Sequence, residues 1–380
     1  MSLPLPPRPS PGARVIVGLS GGVDSAVAAL LLRDAGWDVQ GLFMSNWDEA
    51  DDDAYCTAAQ DFQDARAVAA ELGIALHRAS FAREYRERVF RHFLSEHARG
   101  RTPNPDVLCN REIKFGVALD WARRLGASHF ATGHYARLGP APGGVVGLYK
   151  ARDAAKDQSY FLHAVAPHEL AQTLMPLGEC EKSEVRERAR RAGLPVFDKP
   201  DSTGICFIGE RPFRAFLARF LAKSAGPIEA DDGERLGTHE GLAFYTLGQR
   251  GGLQIGGRHG RPERPWYVAA KDAARNTLVV VQDQDHPLLM SRALTAGRWH
   301  WLAPARREAF SCFVKVRYRQ ADQRAVLVPC ADGGARIEFA KAQRAVTPGQ
   351  YAVAYEGERC LGGGVIETLT PASDASAAAA

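Results

Sequence analysis

VIVGLSGGVDS, residues Val15 to Ser25, runs directly into the apolar helix formers AVAALLL. The β-branched residues Val15, Ile16 and Val17 suit a strand covered on both faces. Gly21 and Gly22 tolerate backbone angles closed to other residues and put no side chain in the way of an approaching anion. The helix expected over Val23 to Ala35 aims its unpaired N–H groups and the positive end of its dipole into that turn. Ser20 and Ser25 add hydroxyl donors. Phosphate is the natural occupant of such a turn. The candidate loop comprises Gly18, Leu19, Ser20, Gly21, Gly22, Val23, Asp24 and Ser25.

Two other phosphate loops are excluded by their residues. No lysine stands in this turn as GxxxxGK[ST] requires, and GxGxxG is absent. SGGVDS instead resembles the PP-loop of the ATP pyrophosphatases, which cut ATP between the α- and β-phosphates and use the AMP half to activate an oxygen. That resemblance implies ATP as a substrate, with Mg2+ offsetting its phosphate charge.

Strand and helix alternate through the first half of the chain. DVQGLFM (Asp38 to Met44) reads as a second strand, Tyr55 to Leu72 as helix, Ile74 to Ala79 as a third strand and Arg83 to Ala98 as helix. Asn110 to Leu125 is expected to be helical, with Ile113, Val117 and Trp121 on one face, and Ser128 to Thr132 a short strand. This pattern means an α/β fold, a parallel sheet with helices on both faces. Ligands in such sheets bind at the carboxyl ends of the strands, where Gly18 to Ser25, Met44 and Gly133 fall.

Past about Phe220 the pattern changes. Glycine-rich turns separate short strands, and from Arg298 onward strands such as FSCFVKVRYR, RAVLVPC and QYAVAYEG follow at regular spacing. These indicate a small β-barrel or sandwich. The expected division is a disordered lead-in (1–13), a PP-loop ATP-binding catalytic domain (14–220), a small connecting domain (221–295), a β-barrel-like domain (296–371) and a disordered tail (372–380).

No apolar stretch approaches the roughly 20 residues of a membrane span. The opening MSLPLPPRPSPGA has neither the basic start nor the apolar run of a secretory signal. Seven cysteines, an odd number with no CxxC pair, point to a reducing cytoplasm and free thiols, and to no structural zinc or other metal site. A net charge of +4 decides nothing, but its distribution is informative. Arg298, Arg306, Arg307, Lys315, Arg317, Arg319 and Arg324 lie among aromatic residues, which suits nucleic acid. A solvated strand face accounts for them equally well. The arginine-rich segment Lys182 to Arg191 reads as a solvated helix face, and the acidic run Asp48 to Asp53 as a flexible loop.

Two cysteines stand in unusual company: Cys109 in RTPNPDVLCNREIKF and Cys206 in DSTGICFIGE. Pro103 and Pro105 are expected to hold the first segment out of helix, leaving Cys109 just ahead of the Asn110 helix, where a thiol gains thiolate character. Cys206, between glycines, reads as a thiol on a mobile loop. Cys56, Cys180, Cys312, Cys330 and Cys360 read as buried small hydrophobes.

SGGVDS, NPDVLCN, ATGHYAR, KDQSYFL, STGICFIG and FYTLGQR occur in one order over about Arg14 to Leu369, and together they resemble the bacterial tRNA-specific 2-thiouridylases. The resemblance implies a tRNA-uridine 2-sulfurtransferase that adenylates the C2 oxygen of the wobble uridine and then replaces it with sulfur. It implies that Met44 and Gly133 flank the adenine and ribose, and that Asn104, Pro105 and Asp106 receive the flipped base, with Asp106 as general acid/base. Cys206 would carry the persulfide delivered by an upstream donor protein. Cys109 would free its sulfur, leaving a transient Cys109–Cys206 disulfide. Contacts to tRNA would come from His134, Lys156, Asp157, Gln158, Tyr318, Arg319 and Gln350. A core role for His134 and a plain turn at Lys156 to Gln158 remain open. Two other readings also remain: an amide- or guanidine-forming synthetase with the same loop, against which the paired thiols argue, and a non-enzymatic tRNA-binding or sulfur-carrier protein, against which the unbroken SGGVDS argues.

Overall fold

β1 (Arg14–Gly18), β2 (Asp38–Ser45), β3 (Leu76–Ser80) and β4 (His129–Ala131) form a parallel sheet in which β1 lies between β2 and β4. The alternation of side chains along β1 divides it between two cores. Ile16 packs with Leu42 and Phe130 on one face, while Val15 and Val17 pack on the other with α1 (Val23–Asp34) and α2 (Ala58–Leu72). Both faces are covered, so a run of three β-branched residues is the pattern the position demands. The computed structural model describes residues 10, 12–47, 58–201, 213–256 and 262–372. Most of the expected lead-in and tail, the run Asp48 to Asp53, Cys56 and Cys206 lie outside the described residues.

The helical stretch 105–124 covers the other face of the sheet and begins five residues earlier than expected. Asn104 is its N-cap, accepting the Asp106 N–H at 3.2 Å, and Pro105 takes the first helical position. A proline there loses nothing, because its missing N–H has no intrahelical partner in any case. Cys109 therefore lies one turn inside the helix, beyond the reach of the helix-end field that falls off within the first turn. The stretch is π-helical from Cys109 to Val117 before it returns to α-helix.

A hairpin of β5 (Arg137–Pro140) and β6 (Val146–Tyr149) leaves the sheet, and β7 (Thr173–Leu174) returns beside β4. A second sheet follows, with β8 (Gly226–Ala230), β9 (Arg235–His239), β10 (Tyr267–Asp272) and β11 (Thr277–Val281) in the order β10-β11-β8-β9. The last six strands are β12 (Met290–Trp301), β13 (Phe310–Lys315), β14 (Gln323–Pro329), β15 (Ala335–Arg344), β16 (Tyr351–Glu356) and β17 (Arg359–Pro371). They run in the order β12-β15-β14-β13-β16-β17, and pairing of β12 with β17 closes them into a barrel. β12 crosses the position, between 295 and 296, where composition placed the edge of the last domain. β6 joins the outside of this barrel through the pair Tyr149 and Arg359, so the first domain and the barrel share a sheet. No helix among the described residues is long and apolar enough to cross a membrane.

Barrel closure depends on Gly362, which has φ +127 and faces Trp301. A Cβ there would stand 1.9 Å from the His300 carbonyl oxygen. Gly362→Ala should lower the midpoint of thermal unfolding by an amount corresponding to about 1–3 kcal/mol of strain, read by calorimetry. An unchanged midpoint would contradict this closure geometry.

Candidate functional site

The carboxyl end of β1 meets the N-terminus of α1 through a turn whose shape is set by its own side chains. Ser25 Oγ accepts from the Ser20 N–H at 3.1 Å and donates to the Gly22 carbonyl at 3.1 Å, with Ser20 Oγ 3.2 Å away. Ser25 thus organises the turn, in place of the outward hydroxyl donor expected from sequence. Gly22 is the N-cap of α1 and supplies no side-chain acceptor, so the first N–H groups of the helix are left for an anion. Gly21 has φ +77, and a Cβ on it would lie 2.3 Å from the Asp61 carbonyl oxygen on α2. No other residue fits there.

The strand ends converge on this turn. A Cβ on Gly18 would meet Phe130 at 3.2 Å and the Met44 methyl at 3.4 Å. A Cβ on Gly133 would stand 2.7 Å from the backbone of both Asp24 and Ser25. Gly18, Met44, Gly133 and the loop are therefore brought together as the sequence implied, with glycine required at Gly133 by close backbone approach.

Sequence reasoning missed the cations that surround the loop. Lys182 Nζ donates to both Asp24 carboxylate oxygens, at 2.7 and 2.8 Å, and lies 2.8 Å from Asp201. Tyr135 donates its hydroxyl to Asp24 at 2.8 Å. Asp201 also accepts from Lys156 at 2.6 Å and from Arg186 at 3.0 Å. Burial alone would raise the Asp201 carboxyl, but hydrogen bonds from Lys156 and Lys182 outweigh it and hold it at about 2. Lys199 Nζ donates to the Gly21 carbonyl at 3.0 Å and pairs with Asp61 and Asp64. So Lys182 is no part of a solvated face: its side chain is 12% exposed, and its ammonium sits at the phosphate loop. One signal pointed that way. A lysine at the first position of a helix opposes the dipole, and a site that tolerates this has another use for the charge.

The second candidate element is the 105–124 helix. Asp106 and Cys109 are three residues apart and share a helix face, and Cys109 is fully buried among Val107, Leu108 and Ile113. Asn104, offered by sequence as a base contact, spends its side-chain oxygen on the cap. Among the other described cysteines, Cys180, Cys312 and Cys360 are buried as expected, and burial pushes each thiol up to about 12. Cys330 is exposed in a turn, contrary to expectation.

Residues 13–210 match the family described as tRNA methyl transferase HUP domain, residues 214–282 its PRC-barrel domain, and residues 291–366 the aminomethyltransferase beta-barrel domain. The chain is 56% identical over 366 residues to the tRNA-specific 2-thiouridylase MnmA of Marinobacter nauticus, covering 95% of this chain and 93% of that protein. It is 55% identical over 358 residues to the protein of the same name from Hahella chejuensis, covering 94% of this chain and 98% of that one. The chain belongs to the tRNA-specific 2-thiouridylase family.

The residues implied as tRNA contacts divide sharply. Lys156 and Tyr318 come together, with the Tyr318 hydroxyl 3.5 Å from the Lys156 carbonyl and its ring 4.4 Å from that of Phe161. Tyr318 and Arg319 follow the end of β13 in a turn, so strand alternation does not send their side chains to opposite faces. His134 is buried, with Nδ1 2.8 Å from Thr132 Oγ1, and burial with nearby Lys114 holds it well below the usual imidazole range. Asp157 is buried too, accepting from Ala151, Ser159 N–H and Ser159 Oγ. Gln158 accepts from the Tyr135 N–H, and Gln350 donates to the Thr102 carbonyl at 2.8 Å. As placed, the side chains of His134 and Asp157 belong to the core.

Lys315 is turned into the protein, and Arg317, though exposed, is tied to backbone acceptors. Lys315 lies 3.6 Å from Asp157, with its ammonium over the Tyr355 ring. Arg317 donates to the carbonyls of Leu247 and Ala345 and to Thr347 Oγ1, which ties the barrel to the middle segment. Arg317→Met takes the side-chain donor from the Leu247 carbonyl, while the Ala345 carbonyl keeps Thr347 Oγ1, and should lower thermal stability by about 1 kcal/mol; Arg319→Ala should leave it unchanged. Calorimetry on both variants checks this, and equal melting of the two would contradict the placement.

Proposed function

We propose that this chain installs sulfur at C2 of the wobble uridine of tRNA, consuming ATP and a protein-borne persulfide. The observation that carries this reading is a phosphate loop with free helix N–H groups and Lys182 seated on Asp24, in a chain that its family relative matches over 95% of its length. ATP would lie with its adenine toward Met44 and Gly133 and its phosphates at the N-terminus of α1. Lys182 then exchanges a carboxylate partner for pyrophosphate oxygens, which grow more negative as the α–β bond breaks. Among the described residues no three His, Cys, Asp or Glu side chains gather as metal ligands, so Mg2+ would be carried chiefly by phosphate oxygens and water.

The uracil C2 oxygen is a poor leaving group, and adenylation corrects that. Asp106 takes the N3 proton, O2 attacks the α-phosphorus, and pyrophosphate leaves. The terminal sulfur of a Cys206 persulfide then adds to C2 and AMP departs. The Cys109 thiolate attacks the Cys206 sulfur, the S–S electron pair stays with the sulfur on C2, and a Cys109–Cys206 disulfide remains. A dithiol reductant resets it. Attack by sulfide already released by Cys109 balances equally well. His134 and Asp157 in this reading shape the wall behind the site, while Lys156, Gln158, Tyr318, Arg319 and Gln350 flank the RNA.

Mass analysis of wobble uridine from tRNA incubated with the protein, ATP and a persulfide source tests the reading. A gain of one sulfur for one oxygen, dependent on ATP, is the expected result, and its absence overturns it. Lys182→Met should weaken ATP binding by roughly ten- to a hundredfold, the worth of a charge-assisted hydrogen bond, with Arg190→Ala as an exposed control on the same helix. Cys206→Ser should fail to accept labelled sulfur, whereas Cys109→Ser should accept it and fail to pass it on. Equal loading of the two variants would reassign the carrier.

A further inference from the structure

Residues 100–102 lie immediately before the Pro103–Asn104 step, and each is held by a different part of the molecule. The Gly100 carbonyl accepts from Lys271 Nζ at 2.8 Å on the second sheet. Arg101, 15% exposed, pairs with Glu96 at 2.8 Å, on the helix Arg91–Ala98 that precedes it, and with Glu367 on β17, and donates to the Ile366 carbonyl at 3.1 Å. The Thr102 N–H donates to the Pro348 carbonyl at 3.0 Å, its own carbonyl accepts from Gln350, and its hydroxyl lies 3.4 Å from that of Thr246. Gly349, at φ +93, packs so closely that a Cβ would stand 3.0 Å from the Thr102 backbone. His97, one turn earlier, has Nδ1 3.1 Å from the Ala243 carbonyl.

We propose that Arg101 is a positioning residue for the reaction, and that residues 100–102 are a strap through which the second sheet and the barrel set the register of Asn104, Pro105 and Asp106 against the nucleotide. A buried guanidinium with two carboxylates is a poor way to gain stability, since apolar residues of similar size hold two surfaces together as well. What the fork adds is direction: it fixes β17 and the strap in both distance and angle. Pro103 is buried with φ locked, so little slack separates Thr102 from the Asn104 cap. A shift of the barrel is thereby delivered to Asp106. Gln350 acts within the same strap by holding the Thr102 carbonyl.

This inference rests on the adenylation reading, and single-turnover pyrophosphate release at saturating ATP and tRNA separates the two. Arg101→Lys keeps the charge and loses the fork; its rate should fall about a hundredfold, the cost of misplacing a reacting group by an ångström. Glu367→Gln, at a partly exposed position that folding tolerates, should fall roughly tenfold. Dissociation constants for ATP and for tRNA should stay within about threefold of wild type in both. Arg275→Ala, whose ion pairs with Asp272 and Glu229 stay within the second sheet, should react at the wild-type rate. Wild-type rates in both strap variants overturn the proposal, as does a loss matching the unfolded fraction in a thermal melt, or a loss confined to tRNA affinity. A wild-type protein that releases no pyrophosphate with tRNA overturns the adenylation reading and the strap with it.

Discussion

The ammonium of Lys182 holds the first domain's charged centre together. It lies between Asp24, on the helix proposed to receive phosphate, and Asp201, which also gathers Lys156 and Arg186. Two carboxylates this close would repel each other, and either alone beside a helix N-terminus would compete with an incoming anion for the same N–H groups. With the lysine present, the negative charge on Asp24 is answered before any phosphate arrives. The apolar sides of α1 and of the Lys182–Arg191 helix pack on one core, so this ion pair also fixes the angle at which the helix faces the sheet.

The barrel side shows the opposite use of polar groups. Arg317, Gln350 and Arg101 all end on backbone carbonyls across a boundary between domains. Backbone acceptors are fixed in direction by the strands that carry them, so these bonds align surfaces more strongly than contacts between flexible side chains do. Within the basic 298–324 stretch Lys315 is spent inside the molecule and Arg317 on backbone carbonyls, while Arg298, Arg307, Arg319 and Arg324 face outward.

How much of this was legible in the sequence follows from how local each signal is. VIVGLSGGVDS specifies strand, turn and helix within eleven residues, and every local preference agrees with the fold. Asn104-Pro105 was equally local, and Asn before a proline is a helix start; reading both prolines as breakers put the helix five residues late. Lys182 was not legible in this way, because its partner Asp24 is 158 residues away. Arg317 was illegible for the same reason: its partners, the carbonyls of Leu247 and Ala345, are distant in sequence. Of the proposed sulfur-handling pair, only Cys109 falls among the described residues, so their relative position stays a matter of chemistry.

The hairpin of β5 and β6 imposes an order on biosynthesis. Its partner edge, β17 at Arg359, is translated 210 residues after Tyr149. At ribosomal speeds that interval is roughly 10–40 s, during which β6 has an unpaired strand edge outside the ribosome. Such an edge is open to any other strand it meets. The short four-residue length of each strand limits what can add there until β17 arrives, when Arg137 on β5 closes on Glu358 at 2.6 Å.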